Sequence, residues 1–370
     1  MPSSLQSLAL DRDLAAVPPP FRPHAVAPAL TVVITNYNYA RYLGVAIDSV
    51  LSQDRTVELV VVDDCSTDNS RDIITAYAGR LKAIFLPVNG GQGAAFNAGF
   101  AEATGDLVMF LDADDFLLPG AVASILSNRK PGVSLYLYPM RYSDKSGTFG
   151  GVHPARGFSG GDISALLRER GRYDGTITSG MVMDRERMKS FMPMDAASFR
   201  YGSDGHIAVA APLYGVVSPE RDLISAYRLH EAQHTSAASG IVAARARWRI
   251  THDHARYAVL REHAGRTGLS VAAELGGRDS LHLKERLVSL VYDPAQHPVP
   301  SDSVKALLGQ LRRVSLAQIS GPYRFLRAAW WVLLACLPAG LRRKVLAWEV
   351  EPASRPQWFT RAVRALRRKP

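Results

Sequence analysis

The feature that most constrains this chain is a regular alternation of short apolar runs and amphipathic stretches between residues 29 and 126. Apolar runs of strand length, each followed by polar residues, are separated by segments whose apolar residues recur at helical spacing. Apolar strands that alternate with helices predict a parallel sheet covered on both faces, which is an α/β fold. The predicted strands are Leu30 to Thr35, Val57 to Val62, Lys82 to Leu86 and Leu107 to Leu111.

The last of these strands ends in an acidic cluster, Asp112-Ala113-Asp114-Asp115. In a parallel sheet, ligands bind beyond the carboxyl ends of the strands, which is where this cluster falls. Neighbouring carboxylates repel one another unless a cation or hydrogen-bond donors compensate them. Mg²⁺ or Mn²⁺, held by one or two carboxylates and by substrate phosphates, would compensate the charge. The alternative is a solvated acidic turn that caps the next helix.

Two further polar motifs follow the other strands. Asp63 and Asp64 end the second strand, where carboxylates can hydrogen-bond a base or a ribose. Ser66 or Asp68 can cap the helix that follows. The third strand leads into a glycine-rich segment, 89–99, whose backbone can approach a ligand closely. Its glycine spacing matches neither the dinucleotide fingerprint nor the ATPase phosphate loop.

In this order, the three motifs and the segment Thr35-Asn36-Tyr37-Asn38 resemble the family 2 glycosyltransferases, which are inverting enzymes with the GT-A fold. The resemblance implies a nucleotide-sugar donor, a UDP-sugar first, together with Mn²⁺ or Mg²⁺. It implies that Thr35 and Tyr37 flank the base, that Asp64 hydrogen-bonds it, and that the acidic cluster holds the ribose and the metal-bound diphosphate. The residues it assigns to donor binding are Thr35, Tyr37, Asp64, Asn89, Gly93, Asn97, Asp112 and Arg228, and those it assigns to the metal are Asp114, Asp115 and His230.

Some details stay open within this resemblance. Family members differ by one position in the acidic motif, so either Asp114 or Asp115 can be the residue that contacts the metal. Cys65 stands where the family usually has glycine, and Phe96 stands where arginine is common. The absence of arginine at position 96 removes one expected contact to the diphosphate. A dTDP-sugar or a GDP-sugar is the alternative to a UDP-sugar.

A general base is the other requirement of an inverting transfer, because the acceptor hydroxyl must lose its proton as its oxygen attacks the anomeric carbon. The family places this base in an acidic pair before an apolar helix. In the matching segment, 202–209, the first acid is absent and Asp204 remains. The resemblance therefore implies that Asp204 is the catalytic base. The alternative is that Asp204 caps the helix that follows.

Two later segments are also similar to elements of this family. The segment 226–230 resembles the Tyr-Arg-x-His element that ends many of these domains, and it would bring Arg228 or His230 to the diphosphate or the metal. A surface strand end with a partly exposed histidine is the alternative. The segment 244–248 is similar to the QxxRW element of processive synthases but lacks its glutamine. We interpret Trp248 as a core residue of a helix and predict that one sugar is added per encounter.

The positive charge of the chain is concentrated in its C-terminal part. The net charge is +10, and residues 305–370 contain 14 Lys and Arg against 2 Asp and Glu, so the remainder is slightly negative. The apolar segment 328–341 carries tryptophans, has basic flanks and is too short to span a bilayer as an ordinary helix. With the basic end at 358–369, it predicts that 324–370 binds an anionic membrane surface. A core helix with a solvated basic tail is the alternative.

These patterns and the resemblance divide the chain into a flexible proline-rich tail at 1–28, a domain at 29–236 for which the resemblance implies the GT-A fold, and a basic helical region at 237–370. Two cysteines far apart in the chain exclude a disulfide scaffold and fit a reducing compartment. We expect a cytoplasmic protein, peripherally associated with the inner face of the cytoplasmic membrane, whose partners are a nucleotide-sugar donor and a saccharide or lipid-linked acceptor.

Two other functions compete with the glycosyltransferase hypothesis. A nucleotidyltransferase acting on sugar phosphates uses a similar fold, but a glycine-rich loop with basic residues normally follows its first strand. The segment 35–38 lacks such a loop. A nucleic-acid-binding protein would spread basic and aromatic residues over a folded surface. Here the basic residues lie at one end of the chain and acids follow the strands, so we expect no nucleic-acid partner.

Overall fold

The computed structural model describes residues 29–144, 146–154, 157–230, 242–351, 354–357 and 359–361. The strands are β1 (Leu30–Asn36), β2 (Glu58–Asp63), β3 (Lys82–Phe85), β4 (Leu107–Asp112), β5 (Phe116–Leu117), β6 (Val133–Leu137), β7 (Met140–Asp144), β8 (Phe149–His153), β9 (Met181–Asp184), β10 (Val216–Pro219) and β11 (Ser225–Leu229). The helices are α1 (Ala40–Leu51), α2 (Ser70–Ala76), α3 (Gln92–Glu102), α4 (Ala121–Ser127), α5 (Ser164–Arg170), α6 (Arg185–Met188), α7 (Asp204–Ala210), α8 (Val242–Arg266), α9 (Leu275–Arg278), α10 (Ser280–Tyr292), α11 (Val304–Gln318), α12 (Tyr323–Cys336) and α13 (Ala339–Val350). The proline-rich tail expected at 1–28 and most of the basic end at 358–369 lie outside the described residues.

The central sheet has seven strands in the order β10-β6-β9-β4-β1-β2-β3. β1 pairs in parallel with β2 and β4, and β2 pairs in parallel with β3. β9 runs antiparallel between β4 and β6. A smaller sheet orders its strands β5-β11-β7-β8. The predicted α/β fold with a mostly parallel sheet is confirmed.

The central strands are apolar along their length because helices cover both of their faces. In β1, Val33 packs into one apolar layer, while Val32 and Ile34 pack into the layer on the other side of the sheet. Helix α3 approaches the sheet closely, since a Cβ on Gly99 would lie 2.2 Å from Cγ1 of Val33. This close approach fixes the position of the glycine-rich loop that precedes α3.

The C-terminal helices form a third apolar core of their own. Helix α8, of 25 residues, packs against α7 and α10, and so joins the helical region to the part of the chain that carries the sheets. Among the described helices, none combines the length and the apolar character that crossing a membrane requires.

Candidate active site

The polar motifs meet in a cavity of about 1220 Å³ at the carboxyl ends of the parallel strands. The strand register brings Thr35 of β1 beside Asp112 of β4, and Asn36 of β1 beside Asp63 of β2. This is the edge at which open α/β sheets bind ligands. The sequence-predicted residues that line the cavity are Thr35, Tyr37, Asp64, Asn89, Asp112, Asp114 and Asp204.

The acidic cluster after β4 places three carboxylates close together. One oxygen from each of Asp112, Asp114 and Asp115 lies within 4.8 Å of the others. Asp114 lines the cavity, whereas Asp115 is buried and its Oδ1 accepts the Arg228 N–H at 2.9 Å. The Oδ2 atom of Asp115 is buried with no hydrogen-bond partner among the described residues. Of the two candidates for metal contact, Asp114 is therefore the one that faces the cavity.

Burial and mutual repulsion make full ionisation of this cluster unfavourable. Burial, followed by the charges of Asp114 and Asp204, raises the pKa of Asp112 to about 8. Burial and the charge of Asp114 also raise the pKa of Asp115 well above its ordinary value. A hard divalent cation would compensate these charges, and oxygen atoms are the ligands that Mg²⁺ and Mn²⁺ prefer. The donor set therefore fits a divalent metal.

Arg228, near the end of β11, and His230, directly after this strand, contact the acidic cluster. His230 Nε2 lies 2.9 Å from Asp114 Oδ2, and the histidine ring packs against Tyr39 and Tyr42. Arg228 donates from Nε to the backbone oxygen of Asp114 at 2.8 Å. Both side chains are almost fully buried, unlike those of a surface strand end. The structure thus brings both predicted residues to the acidic cluster, although neither lines the cavity.

The glycine-rich loop is anchored on Asp64. The two carboxylate oxygens of Asp64 each accept a hydrogen bond from a backbone N–H at 2.7 Å, one from Gly90 and one from Gly91. Burial raises the pKa of Asp64, and these two N–H donors act in the opposite direction. The neighbouring Asn89 accepts hydrogen bonds from the Arg200 guanidinium at its backbone and side-chain oxygens. Each Asp64 oxygen retains a lone pair with which it can accept from a ligand in the cavity.

The second half of the glycine-rich segment is used for packing. A Cβ on Gly93 would lie 2.8 Å from the backbone oxygen of Phe199, so this approach requires glycine. Asn97 donates from Nδ2 to the Met194 backbone oxygen at 2.8 Å and accepts the Met194 N–H at 2.9 Å. Gly93 and Asn97, both expected to bind the donor, do not line the cavity. They instead hold the segment 194–199 that precedes α7.

The predicted base, Asp204, is the first residue of α7 and lines the cavity. The capping position of α7 is occupied by Ser203, and Oδ1 of Asp204 accepts the N–H of Gly205 at 3.0 Å. Burial raises the pKa of Asp204, while electrostatic interactions with His252 and Arg256 act in the opposite direction. A raised pKa brings a carboxylate closer to the range in which general bases work.

Gln92 joins the acidic cluster to the start of α7. Its Nε2 donates to Asp112 Oδ1 at 3.0 Å, and its Oε1 accepts the Ser203 N–H at 3.0 Å. Sequence reasoning missed this residue because its partners are 20 and 111 positions away in the chain. No local pattern distinguishes Gln92 within the glycine-rich segment.

Comparison with known proteins agrees with this geometry. The profile of the family described as Glycosyl transferase family 2 matches residues 31–183. An uncharacterised glycosyltransferase of Nostoc sp. strain PCC 7120 is 39% identical over 220 residues, which cover 57% of this chain and 68% of the relative. The chain belongs to glycosyltransferase family 2. Its enzyme class is therefore a glycosyltransferase rather than a nucleotidyltransferase.

Two other matches to this family 2 glycosyltransferase cover less of the chain or share less identity. The succinoglycan biosynthesis protein ExoO of Rhizobium meliloti is 43% identical over 94 residues, so the match spans 25% of this chain and 27% of that protein. A solved mannosyltransferase of Pyrobaculum calidifontis, in complex with GDP-Man and Mn²⁺, has a TM-score of 0.50 and 17% identity, and covers 92% of this chain and 89% of that one. At 17% identity, the similarity to the mannosyltransferase concerns the fold alone. The expected GT-A fold is confirmed.

The structure explains two positions at which this glycosyltransferase departs from its family. Phe96, where arginine is common, is fully buried and stacks on Phe110 with ring centroids 3.8 Å apart. A contact to the diphosphate is therefore not available from this position. Cys65, where glycine is usual, has a φ of +62°, in the left-handed region that glycine adopts without strain. The backbone keeps the glycine conformation although the residue has changed.

Helix α8 supplies a wall of the glycosyltransferase cavity that the motifs did not predict. Trp248, His252 and Arg256 line it, and their four-residue spacing places them on one helix face. Trp248 stacks on His252 with ring centroids 5.1 Å apart. The interpretation of Trp248 as a core residue is wrong, because Ala246 and Ile250 form the buried side of this part of α8. The spacing of the three cavity residues was the available sequence signal.

Buried charges hold α8 against the loop after α5 and the start of α10. Arg172 donates to Asp253 at 2.6 Å and to Asp279 at 2.7 Å. Arg256 also donates to Asp253, at 2.9 Å. Although burial acts in the opposite direction, the hydrogen bond from His282 and the charges of the two arginines hold the pKa of Asp253 well below its ordinary value. This network fixes the face of α8 that lines the cavity.

Proposed function

We propose that this protein is an inverting, metal-dependent glycosyltransferase that moves one sugar from a nucleotide-sugar, a UDP-sugar first. The acceptor would be a saccharide or a lipid-linked saccharide in the synthesis of a polysaccharide or glycoconjugate. The observation that carries the proposal is the meeting of Asp64, Asp114 and Asp204 in one cavity. The relative named as a succinoglycan biosynthesis protein supports a role in polysaccharide synthesis.

The nucleotide of the donor would lie over the carboxyl ends of β1 and β2. Asp64 offers carboxylate lone pairs to an N–H group of the base. Tyr37, whose side chain is 42% exposed, offers a ring face on which a base can stack. Thr35 and Asn89 complete this end of the cavity. The mannosyltransferase with the same fold was solved with GDP-Man, which supports a nucleotide-sugar as the donor class.

The diphosphate end of the donor would lie at the acidic cluster, where Asp112 and Asp114 would hold Mn²⁺ or Mg²⁺. When bound, the cation neutralises negative charge on the diphosphate leaving group. His230 orients the Asp114 carboxylate through the contact at Nε2. Asp115 has a different role, because it accepts the N–H of Arg228 and holds β11 against the cluster.

Asp204 would act as the general base of the transfer. Its carboxylate takes the proton of the acceptor hydroxyl while the hydroxyl oxygen forms a bond to the anomeric carbon. The bond between that carbon and the diphosphate oxygen breaks, and its electron pair leaves with the diphosphate. Because attack and departure occur on opposite faces of the sugar, the configuration inverts. The products are a glycoside, a nucleoside diphosphate and a proton on Asp204 that passes to water.

A panel of nucleotide-sugars tests the donor class. Thermal unfolding of the full chain is followed with UDP-, dTDP- and GDP-sugars, each in the presence of Mn²⁺, Mg²⁺ or EDTA. We expect one class of donor to raise the melting temperature only when the metal is present. A ligand at a hundred times its Kd stabilises the folded state by about 2.7 kcal/mol, which is readily measured. The absence of any response would contradict the proposal.

The same assay tests the metal site. Asp114→Ala should abolish the metal-dependent part of the shift. Asp106→Ala is the matched control, because Asp106 precedes β4 at its opposite end and forms a surface ion pair with Arg129. Such exposed pairs contribute about 0–1 kcal/mol, so the control should behave like the wild type. An unchanged response in Asp114→Ala would assign the metal to another residue.

A further inference from the structure

Helix α12 carries apolar side chains on two opposite faces. Its inner face packs into the third apolar core through Ala328, Trp331 and Leu334, which are buried. Its outer face is exposed, and its larger apolar side chains are between 46% and 58% accessible. The exposed apolar residues of this outer face are Phe325, Leu326, Ala329, Val332, Leu333 and Cys336. A surface helix normally presents polar residues on the face opposite its core, and α12 does not.

Exposed apolar residues also follow α12 in the chain. In the first turn of α13, Leu341 is 48% exposed, and the preceding Ala339 and Gly340 are also exposed. Scattered apolar side chains are normal on a protein surface, whereas a continuous exposed group of them marks a site of interaction. The outer face of α12 therefore requires an apolar or amphipathic partner.

Basic residues precede and follow this face along the chain. Arg324 lies at its N-terminal end, and Arg343 and Lys344 follow in α13, all three of them exposed. Glu349, one of the few acids in this part of the chain, pairs with Arg327. Since residues 323–344 contain five basic residues and no acidic one, the partner of this surface should be negatively charged.

We infer that the outer face of α12 docks on the surface of an anionic lipid bilayer, with the helix axis in the membrane plane. Its 14 residues extend about 21 Å at ~1.5 Å per residue, and the apolar side chains would enter the boundary between headgroups and acyl chains. The flanking basic residues would contact the anionic headgroups. A second copy of the chain is a poorer partner, because a twofold contact through this face would bring like charges together.

This docking would hold the enzyme at the membrane that carries a lipid-linked acceptor. Helix α10 contributes Leu281 and Glu285 to the cavity wall. The same helix packs against α11 and α13, and α11 packs against α12. One helix therefore connects the cavity to the bundle that carries the outer face. This consequence rests on the proposed acceptor class, whereas the docking on lipid does not.

Co-sedimentation with vesicles tests the docking without any assay of glycosyl transfer. The full chain is mixed with vesicles of phosphatidylcholine, with or without an equal part of phosphatidylglycerol. We expect binding to the anionic vesicles to be at least about tenfold tighter than binding to phosphatidylcholine alone. High salt should weaken it, because salt screens the charges. Failure to bind the anionic vesicles would overturn the inference.

A paired substitution tests the apolar face itself. Val332→Asp together with Leu333→Asp places charge on the outer face and should lower the affinity for anionic vesicles about tenfold or more. Val45→Asp is the matched control, because Val45 is 49% exposed on α1 while Val332 is 46% exposed on α12. If the paired variant binds as tightly as the wild type, the outer face of α12 is not the docking surface.

Two further measurements complete the test. The first applies if the paired variant folds poorly, and the second asks whether the partner is a second copy of the chain. Arg343→Gln with Lys344→Gln leaves the apolar face intact and should weaken vesicle binding about fivefold for each charge removed. Unchanged binding by this variant would contradict the inference. Light scattering gives the oligomeric state of the wild type. A dimer that Val332→Asp with Leu333→Asp dissociates, in a protein that does not bind vesicles, would assign the face to a second copy and overturn the inference.

Discussion

Gln92 and Asp112 are joined by a hydrogen bond of 3.0 Å that ties the acidic cluster to the helix of the proposed base. The other end of the same amide accepts the N–H of Ser203, and Asp204 follows directly in the chain. The Gln92 side chain therefore sets the position of the base relative to the carboxylates that would hold the metal. A change confined to this amide should affect catalysis more than donor binding.

Gln92→Met keeps the length of the side chain and removes both hydrogen bonds. We expect kcat to fall about ten- to a hundredfold, because a misplacement of ~1 Å at a catalytic centre costs about a hundredfold in rate. The Kd of the donor should stay close to that of the wild type. Gln53→Met is the control, since the Gln53 amide also joins two groups distant in the chain, the backbones of Leu118 and Val122, but outside the cavity. Equal kcat values for the two variants would exclude a positioning role for Gln92.

Asp204→Asn preserves the shape of the proposed base and removes its basicity. Transfer should fall about 10²- to 10⁴-fold, the range attributed to general acid–base catalysis, while metal-dependent donor binding is retained. Asp72→Asn is the matched control, because Asp72 is also in the first turn of a helix, α2, but is exposed and away from the cavity. Steady-state kinetics and donor titration measure the two effects. Transfer at the wild-type rate would mean that another residue is the base.

Asp112 should make the stability of the metal-free protein depend on pH. Its pKa is about 8 in the folded protein against an ordinary value of 3.8. Between these values the folded state keeps a proton that the unfolded state has lost, so this stabilisation decreases as the pH rises through the folded pKa. The melting temperature without metal should therefore fall between about pH 5 and pH 8. Mn²⁺ should raise it most at the alkaline end, where protons compete least for the carboxylates.

Asp112→Asn isolates this contribution from the other titrating groups. The variant should melt at least roughly 2 °C above the wild type near pH 8 without metal, which corresponds to about 1 kcal/mol for a chain of this size. It should also lose most of the response to Mn²⁺. Asp106→Asn serves as the control at the opposite end of β4. A wild-type melting temperature that rises with pH in EDTA, or an undiminished Mn²⁺ response in the variant, would contradict this interpretation.

Cys65→Gly should stabilise the fold by about 0.5 kcal/mol. A left-handed backbone costs an L-residue roughly 1–2 kcal/mol, and the added freedom of glycine in the unfolded chain offsets about 0.4–1 kcal/mol of the gain. Asn38→Gly is the comparison, because Asn38 has a similar φ of +58° but its Oδ1 accepts the Thr67 N–H at 2.7 Å. That variant should be less stable than the wild type. Urea unfolding measures both, and a less stable Cys65→Gly would show that the thiol contributes more than its conformation costs.

Sequence patterns predicted the parts of the fold that depend on local periodicity. The bounds of β1, β2 and β4 agree with the predicted strands within one residue, because burial on both faces makes each strand apolar throughout. The polar residues after these strands could also be placed at one edge of the sheet, since parallel strands end together. Seven of the predicted site residues line the cavity for this reason.

The parts of the site that depend on distant contacts were not predictable. Asn97 bonds to the backbone of Met194, 97 positions later, and Gly93 fits against Phe199, so their packing depends on partners that no local pattern identifies. Trp248 illustrates a related difficulty. Its position suits either a core face or a cavity wall, and the packing of α8 against α7 decides between them.

The stereochemistry of donor hydrolysis tests the proposed reaction most directly, because water can replace the unidentified acceptor. ¹H NMR follows the sugar released, in the presence of Mn²⁺, from the α-linked nucleotide-sugar that the protein binds. We predict that the β anomer appears before the α anomer and that Asp204→Asn binds the donor without releasing sugar. Release of the α anomer first, or no hydrolysis of any nucleotide-sugar, would contradict an inverting transfer with Asp204 as its base.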